Sequence, residues 1–234
     1  MLDLLKTGDF GLGPNFVNGT AKVSIRFGRF FSMVSEVSRN PNHPPKGSSI
    51  KVGPIRDPAD IARIKAMLAD QPRNYCLFVF GINTAFRASE LLLIRLRDVM
   101  HIREGDYFEI KEPKTGKTRG VTINGQAAEA LRVGIAAHPT GDPDAPLFWS
   151  RKTDLALKVP SVCRLVKGWC AQAGIGGWFG SHSLRKTWGY QQRVQFDEPL
   201  SLLTKAFGHS SERQTLEYLC IQDDELQRLY GNEI

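Results

Sequence analysis

The chain has 234 residues, of which 41% are hydrophobic, and its formal net charge is +7 because lysines and arginines outnumber acidic residues. This length suits one large domain, or one domain with an appendage, around a packed core. No run of about 18 apolar residues occurs, and the N-terminus lacks a basic region followed by an apolar stretch. We therefore expect neither a membrane span nor a signal peptide, and the basic charge favours a polyanionic partner such as nucleic acid.

The cysteine pattern argues against a metal centre. No CxxC pair is present, and no cluster of histidine and cysteine has the spacing of a zinc site. We interpret all four as small buried hydrophobic residues of a protein from a reducing compartment. They are Cys76, Cys163, Cys170 and Cys220.

Residues 1–56 differ in composition from the rest of the chain. They are rich in glycine and proline, and basic residues outnumber acidic ones there. Two interpretations stay open, an arm that contacts DNA or a neighbouring subunit and a flexible lead-in. Within this segment, residues 38–56 are typical of a linker.

The first strong helix signal lies at Asp57 and Pro58, an N-cap residue followed by proline at the first helical position. The most apolar segment, residues 74–94, predicts a buried helix, a break at residues 83–86 and a second helix that opens near Ser89. Residues 99–123 then predict three short strands. These strands are expected at residues 99–102, 107–111 and 120–123.

The pattern is helical again from residue 125 onward, with an interruption at residues 138–146. Ser181 is placed to cap the helix that follows it. Ser211 and Gln214 have the spacing of a capping box at the start of a later helix.

Cationic and nucleophilic side chains are concentrated in the C-terminal third of the chain. His182 and Arg185 are three residues apart, so on a helix they share a face. A second histidine, His209, follows, and nine residues later Tyr218 supplies a hydroxyl that can act as a nucleophile. Upstream, Arg87 lies within an apolar run.

These residue types suit the cleavage of a phosphodiester bond without a metal. As a nucleophile attacks phosphorus, the non-bridging oxygens need fixed donors, and the planar arginine fork stays charged and binds two oxygens at once. A tyrosine hydroxyl, with a pKa near 10, is a weak nucleophile, but nearby cations stabilise the phenolate and a histidine can take the proton. A covalent phosphotyrosine retains the bond energy, so the strand can be rejoined without ATP.

Together these motifs resemble those of the tyrosine recombinases, the phage integrase family. Their order and spacing fit the family over about residues 55–230, and the combination is specific although each motif alone is weak. The motifs are Arg87 in Ala-Phe-Arg-Ala-Ser-Glu-Leu, Lys114 in Lys-Thr-Gly-Lys, His182 with Arg185, Gly208 with His209, and Tyr218.

The resemblance implies an α+β, mostly α fold. In that fold, the DNA breaking-rejoining enzyme fold, a helical catalytic domain carries a small antiparallel three-stranded sheet. We expect this domain at residues 57–234, after a basic N-terminal arm and linker at residues 1–56.

The resemblance also implies a role for each residue of the candidate site. Tyr218 corresponds to the nucleophile that becomes linked to the 3′ phosphate, and Arg87 and Arg185 correspond to the arginines that hold the phosphate. His182 corresponds to the proton-transfer histidine, and His209 to the second histidine, which holds the scissile phosphate. The remaining residues are Lys114, the general acid for the 5′ oxygen; Glu90, which supports the first arginine; and Lys186, a supporting cation.

Two of these assignments have competitors in the chain. Lys114 is preferred as the general acid, but Lys111 and Lys117 lie on the same predicted hairpin. The distance of Tyr218 from His209 favours it over the other tyrosines considered. Those are Tyr107, Tyr190 and Tyr230.

The activity implied is site-specific DNA recombination without a cofactor. The implied location is the cytoplasm of a prokaryote, with a nucleoid-associated or phage-encoded enzyme. The implied partners are double-stranded DNA, further copies of the chain in a tetramer on DNA, and accessory DNA-bending proteins. Two alternatives stay open. One is an accessory DNA-binding protein of the same fold without recombination activity, and the other is strand relaxation as in type IB topoisomerases.

Two features bear on how the chain grips DNA and its neighbours. Family members usually carry a helical DNA-clamping domain before the catalytic one, and residues 1–56 are too short and too rich in glycine and proline to form it. We therefore expect weaker DNA binding with a smaller salt dependence. The C-terminal tail carries an apolar set that docks either on a neighbouring subunit or on its own core. This set is Leu219, Ile221, Leu226, Leu229 and Tyr230.

Overall fold

The structure is a computed structural model that describes residues 51–111, 116, 118–153, 155–221 and 230–231. Every described residue belongs to one compact unit. Residues 1–50 of the predicted arm lie outside the described residues. The described elements, in chain order, are α1 (Pro58–Met67), α2 (Pro72–Thr84), α3 (Ala88–Leu91), α4 (Leu96–Val99), β1 (Tyr107–Lys111), β2 (Thr118–Thr122), α5 (Gly125–Ala136), α6 (Val159–Gln172), α7 (Ser181–Val194), α8 (Leu200–Phe207) and α9 (Glu212–Leu219).

The start of the helical domain is as predicted. The Asp57 side chain accepts a hydrogen bond from the Ala59 N–H at 2.8 Å, and Pro58 occupies the first turn of α1. α2 ends at Thr84, and its C-cap residue Ala85 adopts the left-handed conformation with φ of 56°. This residue makes the break predicted at residues 83–86, and the chain then begins α3.

The main core is built around α2, which packs against α5 and α7, while α6 packs against α7. Phe78 and Trp169 meet edge to face with ring centroids 5.9 Å apart, and Phe80 contacts Phe86 and Phe108 across the core. Burial of apolar surface is the main favourable contribution to folding, and these large rings contribute to it. Cys76 and Cys170 are buried in the same core, as expected from the sequence, whereas Cys163 and Cys220 are only partly buried.

The sheet differs from the prediction in one strand. Among the described residues it consists of β1 and β2, paired antiparallel with Tyr107 opposite Thr122 and Lys111 opposite Thr118. The predicted strand at residues 99–102 is wrong, because Val99 ends α4 and the chain continues as a turn. The cause is local: the Asp98 carboxylate accepts the Arg95 N–H at 2.8 Å and closes a helical turn.

The two predicted caps behave differently. Ser181 is the first residue of α7 and not its cap, because Gly180 occupies the N-cap position and donates its N–H to Ser183 Oγ at 3.0 Å. At α9 the prediction is half confirmed. Ser211 Oγ accepts the Gln214 N–H at 3.2 Å, but the Gln214 side chain accepts the N–H of Ser210.

The end of the predicted linker packs on the helical domain. Ile55 is fully buried, and its N–H donates to Thr187 Oγ1 on α7 at 2.8 Å. Gly53 N–H donates to the Trp178 carbonyl at 2.8 Å, and Lys186 Nζ donates to the Val52 carbonyl at 2.7 Å. Residues 52–55 therefore continue the fold up to the start of α1.

A smaller hydrophobic cluster joins α7, α8 and α9. Phe207 is fully buried at its centre, and Leu219 and Ile221 from the apolar tail set pack within it. These two tail residues therefore dock on their own chain. Leu226 and Leu229 lie outside the described residues, and Tyr230 is exposed.

None of the described helices has both the length and the apolar character needed to cross a bilayer.

Close packing at Gly189 gives a prediction about this smaller cluster. A Cβ at Gly189 on α7 would overlap the Phe207 ring and lie 2.8 Å from Leu219 Cδ2. Because the buried Phe207 ring has no free space beside it, we expect Gly189→Ala to lower the free energy of unfolding by about 1–3 kcal/mol. Urea denaturation measures the change.

The matched control is Gly168→Ala on α6, where no atom lies within 4 Å of the added Cβ. That substitution removes a flexible helical glycine, so we expect it to leave stability unchanged or raise it by up to about 1 kcal/mol. Equal effects of the two substitutions would show that Phe207 is not tightly packed by Gly189.

Candidate active site

Three of the predicted site residues surround Phe207, the last residue of α8. The Arg185 guanidinium lies 4.9 Å from the centre of the Phe207 ring, His209 stacks on that ring at 5.1 Å, and Tyr218 meets it at 5.3 Å. Gly208 adopts a left-handed conformation with φ of 66°, which ends α8 and turns the chain into His209. A glycine is favoured there because other residues rarely adopt that conformation.

Arg87 is held by a buried carboxylate. As the N-cap residue of α3 it donates its backbone N–H to Glu90 Oε2 at 2.6 Å, and its Nη1 donates to Glu90 Oε1 at 2.9 Å. Glu90 is buried, whereas 39% of the Arg87 side chain remains exposed. The pair therefore presents a fixed guanidinium at the surface of the site.

Arg185 is the most deeply buried cation of the site, with only 2% of its surface exposed. Its Nη2 donates to the Phe207 carbonyl at 2.8 Å, while its Nε has no hydrogen-bond partner among the described residues. Burial lowers the pKa of Arg185 to about 10. A buried, incompletely paired guanidinium is costly, so an anionic ligand at this point is strongly favoured.

His182 and Lys186 extend the positive surface of α7. His182 keeps a large part of its surface exposed, but partial desolvation of its ring, followed by the charges of Arg185, Lys186 and Arg87, lowers its pKa. Lys186 is buried, and its Nζ lies 4.8 Å from the centre of the Tyr218 ring. Burial also lowers the pKa of Lys186.

His209 and Tyr218 lie edge to face with ring centroids 5.0 Å apart. His209 Nδ1 is 3.0 Å from Thr215 Oγ1 on α9, which fixes the orientation of the imidazole. Burial, followed by the charges of Arg185, Arg87 and Arg119, lowers the pKa of His209. Both histidines are therefore predominantly neutral at neutral pH.

Two opposing effects act on the Tyr218 hydroxyl. Burial is the larger and raises its pKa, while the charges of Arg185, Arg87 and Arg119 lower it. The phenol consequently stays protonated at neutral pH, and the three arginines offset part of the cost of forming a phenolate. The arrangement can stabilise negative charge on a bound anion and on the tyrosine oxygen together.

The structure brings together most of the residues selected from the sequence. They are Arg87, Glu90, His182, Arg185, Lys186, His209 and Tyr218, which interact through the contacts and charges given above. Lys114 and the competing Lys117 lie outside the described residues, and Lys111 is exposed at the end of β1. Among the competing tyrosines, Tyr107 and Tyr230 are exposed, and Tyr190 lies 5.6 Å below the Arg56 guanidinium.

Sequence reasoning missed Arg119 and Phe207. Arg119 lies on β2, and its Nε is 3.5 Å from Glu90 Oε1. Phe207 supplies the ring and the carbonyl oxygen against which Arg185 packs. Phe207 immediately precedes the Gly208-His209 motif, and that adjacency is the sequence signal that could have identified it. Arg119 is identified only by its distances to the predicted residues.

Comparison with known proteins gives matches over the same part of the chain. The phage integrase family matches residues 57–225. Over 181 residues the chain is 31% identical to the probable integrase/recombinase YoeC of Bacillus subtilis (strain 168). This alignment covers 76% of the present chain and 95% of YoeC.

Solved structures of low sequence identity share the fold. The XerA recombinase has a TM-score of 0.63 at 18% identity, with 80% of this chain and 66% of XerA covered. The XerH site-specific recombinase in a post-cleavage complex with palindromic difH substrate has a TM-score of 0.61 at 19% identity, with 79% of this chain covered. This chain spans 54% of the XerH chain.

Proposed function

This chain belongs to the phage integrase family, and from that premise we propose that it is a site-specific DNA recombinase that cuts and rejoins strands through a covalent 3′-phosphotyrosine. The observation that carries the proposal is the buried guanidinium of Arg185, which packs with Tyr218 around Phe207. Its Nε is buried and has no hydrogen-bond partner among the described residues, so the guanidinium keeps donor capacity for the non-bridging oxygens of a phosphate.

The phosphate is held by two arginines of different character. Arg185 is fixed by burial and by the Phe207 carbonyl, and Arg87 is fixed by Glu90 at the edge of the site. Because both guanidinium groups are oriented before the substrate arrives, little reorganisation is needed as charge develops on the phosphate oxygens. His209, neutral and oriented by Thr215, adds a hydrogen bond to the same phosphate.

Cleavage is a displacement at phosphorus. The Tyr218 oxygen forms a bond to phosphorus, the bond to the 5′ oxygen breaks, and the 3′ phosphate stays on the protein. The phenol proton passes to the neutral imidazole of His182, and the departing 5′ oxygen takes a proton from Lys114. Attack by a 5′ hydroxyl on the phosphotyrosine reverses these steps and rejoins the strand.

Double-stranded DNA is the proposed substrate. The net charge of +7 favours a polyanion, and the structures of XerH and of a lambda integrase dimer with similar folds were determined with DNA bound. Contacts to phosphates account for binding, whereas contacts to base edges would set the target site.

Several further properties follow from family membership as proposals. The enzyme acts as a homo-oligomer, a tetramer on DNA, through its C-terminal tail, with accessory DNA-bending proteins as partners. It works in the prokaryotic cytoplasm, at the nucleoid or as a phage-encoded protein. Residues 1–56 are the proposed basic arm and linker to the catalytic domain at residues 57–234, and the last part of this segment, residues 52–55, packs on that domain.

A trapping experiment tests the proposal. The substrate is a library of end-labelled duplexes whose sequence is randomised around a nick. Cleavage next to the nick releases a short fragment that carries the 5′ hydroxyl. Because this fragment dissociates, the strand cannot be rejoined. We expect the protein to become attached to labelled DNA in a complex that survives denaturation in detergent. Binding without attachment would instead identify a DNA-binding accessory protein. Relaxation of supercoiled plasmid without recombinant products would favour topoisomerase-like activity.

A further inference from the structure

We propose that Arg119 is a positioning residue that sets the separation between the two phosphate-binding arginines, Arg87 and Arg185. The inference rests on the proposed function of the Tyr218 site. Arg119 lies on β2, where it is paired with Ile110 of β1. Its side chain extends away from this strand toward residues from two other parts of the chain.

One end of the Arg119 guanidinium reaches the carboxylate that holds Arg87. Arg119 Nε lies 3.5 Å from Glu90 Oε1, the oxygen that also accepts the hydrogen bond from Arg87 Nη1 at 2.9 Å. Glu90 is buried between the two arginines, so its carboxylate depends on both of them for charge compensation. A change in the position of Arg119 therefore changes the support of Arg87.

The other end reaches the carbonyl that holds Arg185. Arg119 Nη1 donates to the Ala206 carbonyl at 2.5 Å, and Nη2 donates to the Phe207 carbonyl at 3.3 Å. The Phe207 carbonyl also accepts the hydrogen bond from Arg185 Nη2 at 2.8 Å. Arg119 thus connects Glu90, which orients Arg87, to the carbonyl group that orients Arg185.

All three guanidinium nitrogens of Arg119 are directed at protein atoms, and this distinguishes its role from that of the two phosphate-binding arginines. Arg185 retains an Nε without a partner among the described residues, whereas Nε, Nη1 and Nη2 of Arg119 each contact a protein oxygen. Arg119 is therefore oriented to fix protein groups. Arg119 is itself a cation, so it acts on Arg87 and Arg185 through Glu90 and the Phe207 carbonyl and not by offsetting their mutual repulsion.

The test measures the rate of covalent attachment to two nicked duplexes of the sequence found in the trapping experiment. One carries a phosphodiester at the cleavage position, and the other carries a neutral methylphosphonate there. A methylphosphonate has a methyl group in place of one non-bridging oxygen, so its attack by tyrosine depends less on two aligned guanidinium groups. We expect Arg119→Ala to slow attachment to the phosphodiester by about 100-fold, the usual effect of a small misplacement of catalytic groups. On the methylphosphonate the loss should shrink to less than about 10-fold.

Arg132→Ala is the matched control, because Arg132 pairs with Glu129 on the exposed surface of α5. We expect this variant to become attached to both substrates at the wild-type rate. If Arg119→Ala fails to fold, Arg119→Lys is measured instead, since one ammonium group cannot reach the carboxylate and both carbonyls together. Arg119→Lys should likewise slow attachment to the phosphodiester more than attachment to the methylphosphonate.

Equal slowing on both substrates, or no slowing on either, would overturn the inference while leaving the proposed function intact. Recovery with sulfur in place of the 5′ oxygen, a leaving group that needs no proton, would also overturn it, because Arg119 would then act through the general acid. If the wild-type protein attaches to no DNA at all, the proposed function itself is wrong and the inference is wrong with it.

Discussion

Alanine in place of Arg185 is expected to abolish DNA cleavage while much of the non-specific DNA binding remains. Arg185 is the buried one of the two guanidinium groups that are oriented before the substrate arrives, and its removal leaves Arg87 as the remaining fixed guanidinium donor to the developing charge on phosphate. We expect attachment to a nicked duplex to slow by at least about 100-fold. Non-specific affinity depends on the total of phosphate contacts, so it should fall much less.

Two further variants separate the chemistry of Arg185 from its contribution to packing. Arg185→Lys keeps a positive charge but not the planar fork, so one ammonium group cannot serve both the Phe207 carbonyl and a phosphate. It should be nearly as inactive as the alanine variant. Arg132→Ala, on the exposed face of α5, should cleave normally. Wild-type cleavage by folded Arg185→Ala, with thermal unfolding as the check, would refute the assignment.

Phenylalanine in place of Tyr218 should eliminate covalent attachment to DNA altogether. The substitution removes the nucleophilic oxygen and keeps the ring, which packs against Phe207, His209 and the Lys186 ammonium. We therefore expect unchanged folding and DNA binding, with attachment reduced by at least about 10⁴-fold. Denaturing gels of the labelled nicked duplex measure attachment, and gel shift measures binding.

The same change at two other tyrosines provides the controls. Tyr190 packs on the same small cluster as Tyr218, and Tyr230 is exposed beyond it. Tyr190→Phe and Tyr230→Phe should both retain attachment. Attachment that persists in Tyr218→Phe but disappears in Tyr230→Phe would place the nucleophile in the tail.

The sequence located the residues whose chemistry is dictated by a phosphate. Arg87, Arg185, His209 and Tyr218 occur in motifs whose order and spacing are characteristic. The structure places Arg185, His209 and Tyr218 around Phe207, and Arg87 acts on His209 and Tyr218 through its charge. Their side chains must reach one small group, so the fold has few ways to place them. Lys114 was selected in the same way, and its place in the site stays a prediction.

Arg119 was missed because its role arises from tertiary contacts alone. Its carbonyl partners, Ala206 and Phe207, lie 87 and 88 residues further along the chain. In the sequence it is one basic residue among several in a hairpin with no distinctive spacing. A positioning residue of this kind becomes visible only when the distances between strands and helices are known.

The errors in secondary structure have local causes. Residues 99–102 have an apolar pattern typical of a strand, but the hydrogen bond from Arg95 to Asp98 closes a helical turn just before them. The cap of α7 was displaced by one residue because Ser183, inside the helix, bonds back to Gly180. Side-chain hydrogen bonds to the backbone decided both cases, and an apolar pattern does not record them.

Identification of the residue joined to DNA in the trapped complex tests the central claim most directly. Proteolysis of the complex followed by mass spectrometry should find a nucleotide linked through a 3′ phosphate to the oxygen of Tyr218. The released strand should carry a free 5′ hydroxyl. A linkage to any other residue, or a 5′-phosphate joined to the protein, would contradict the account.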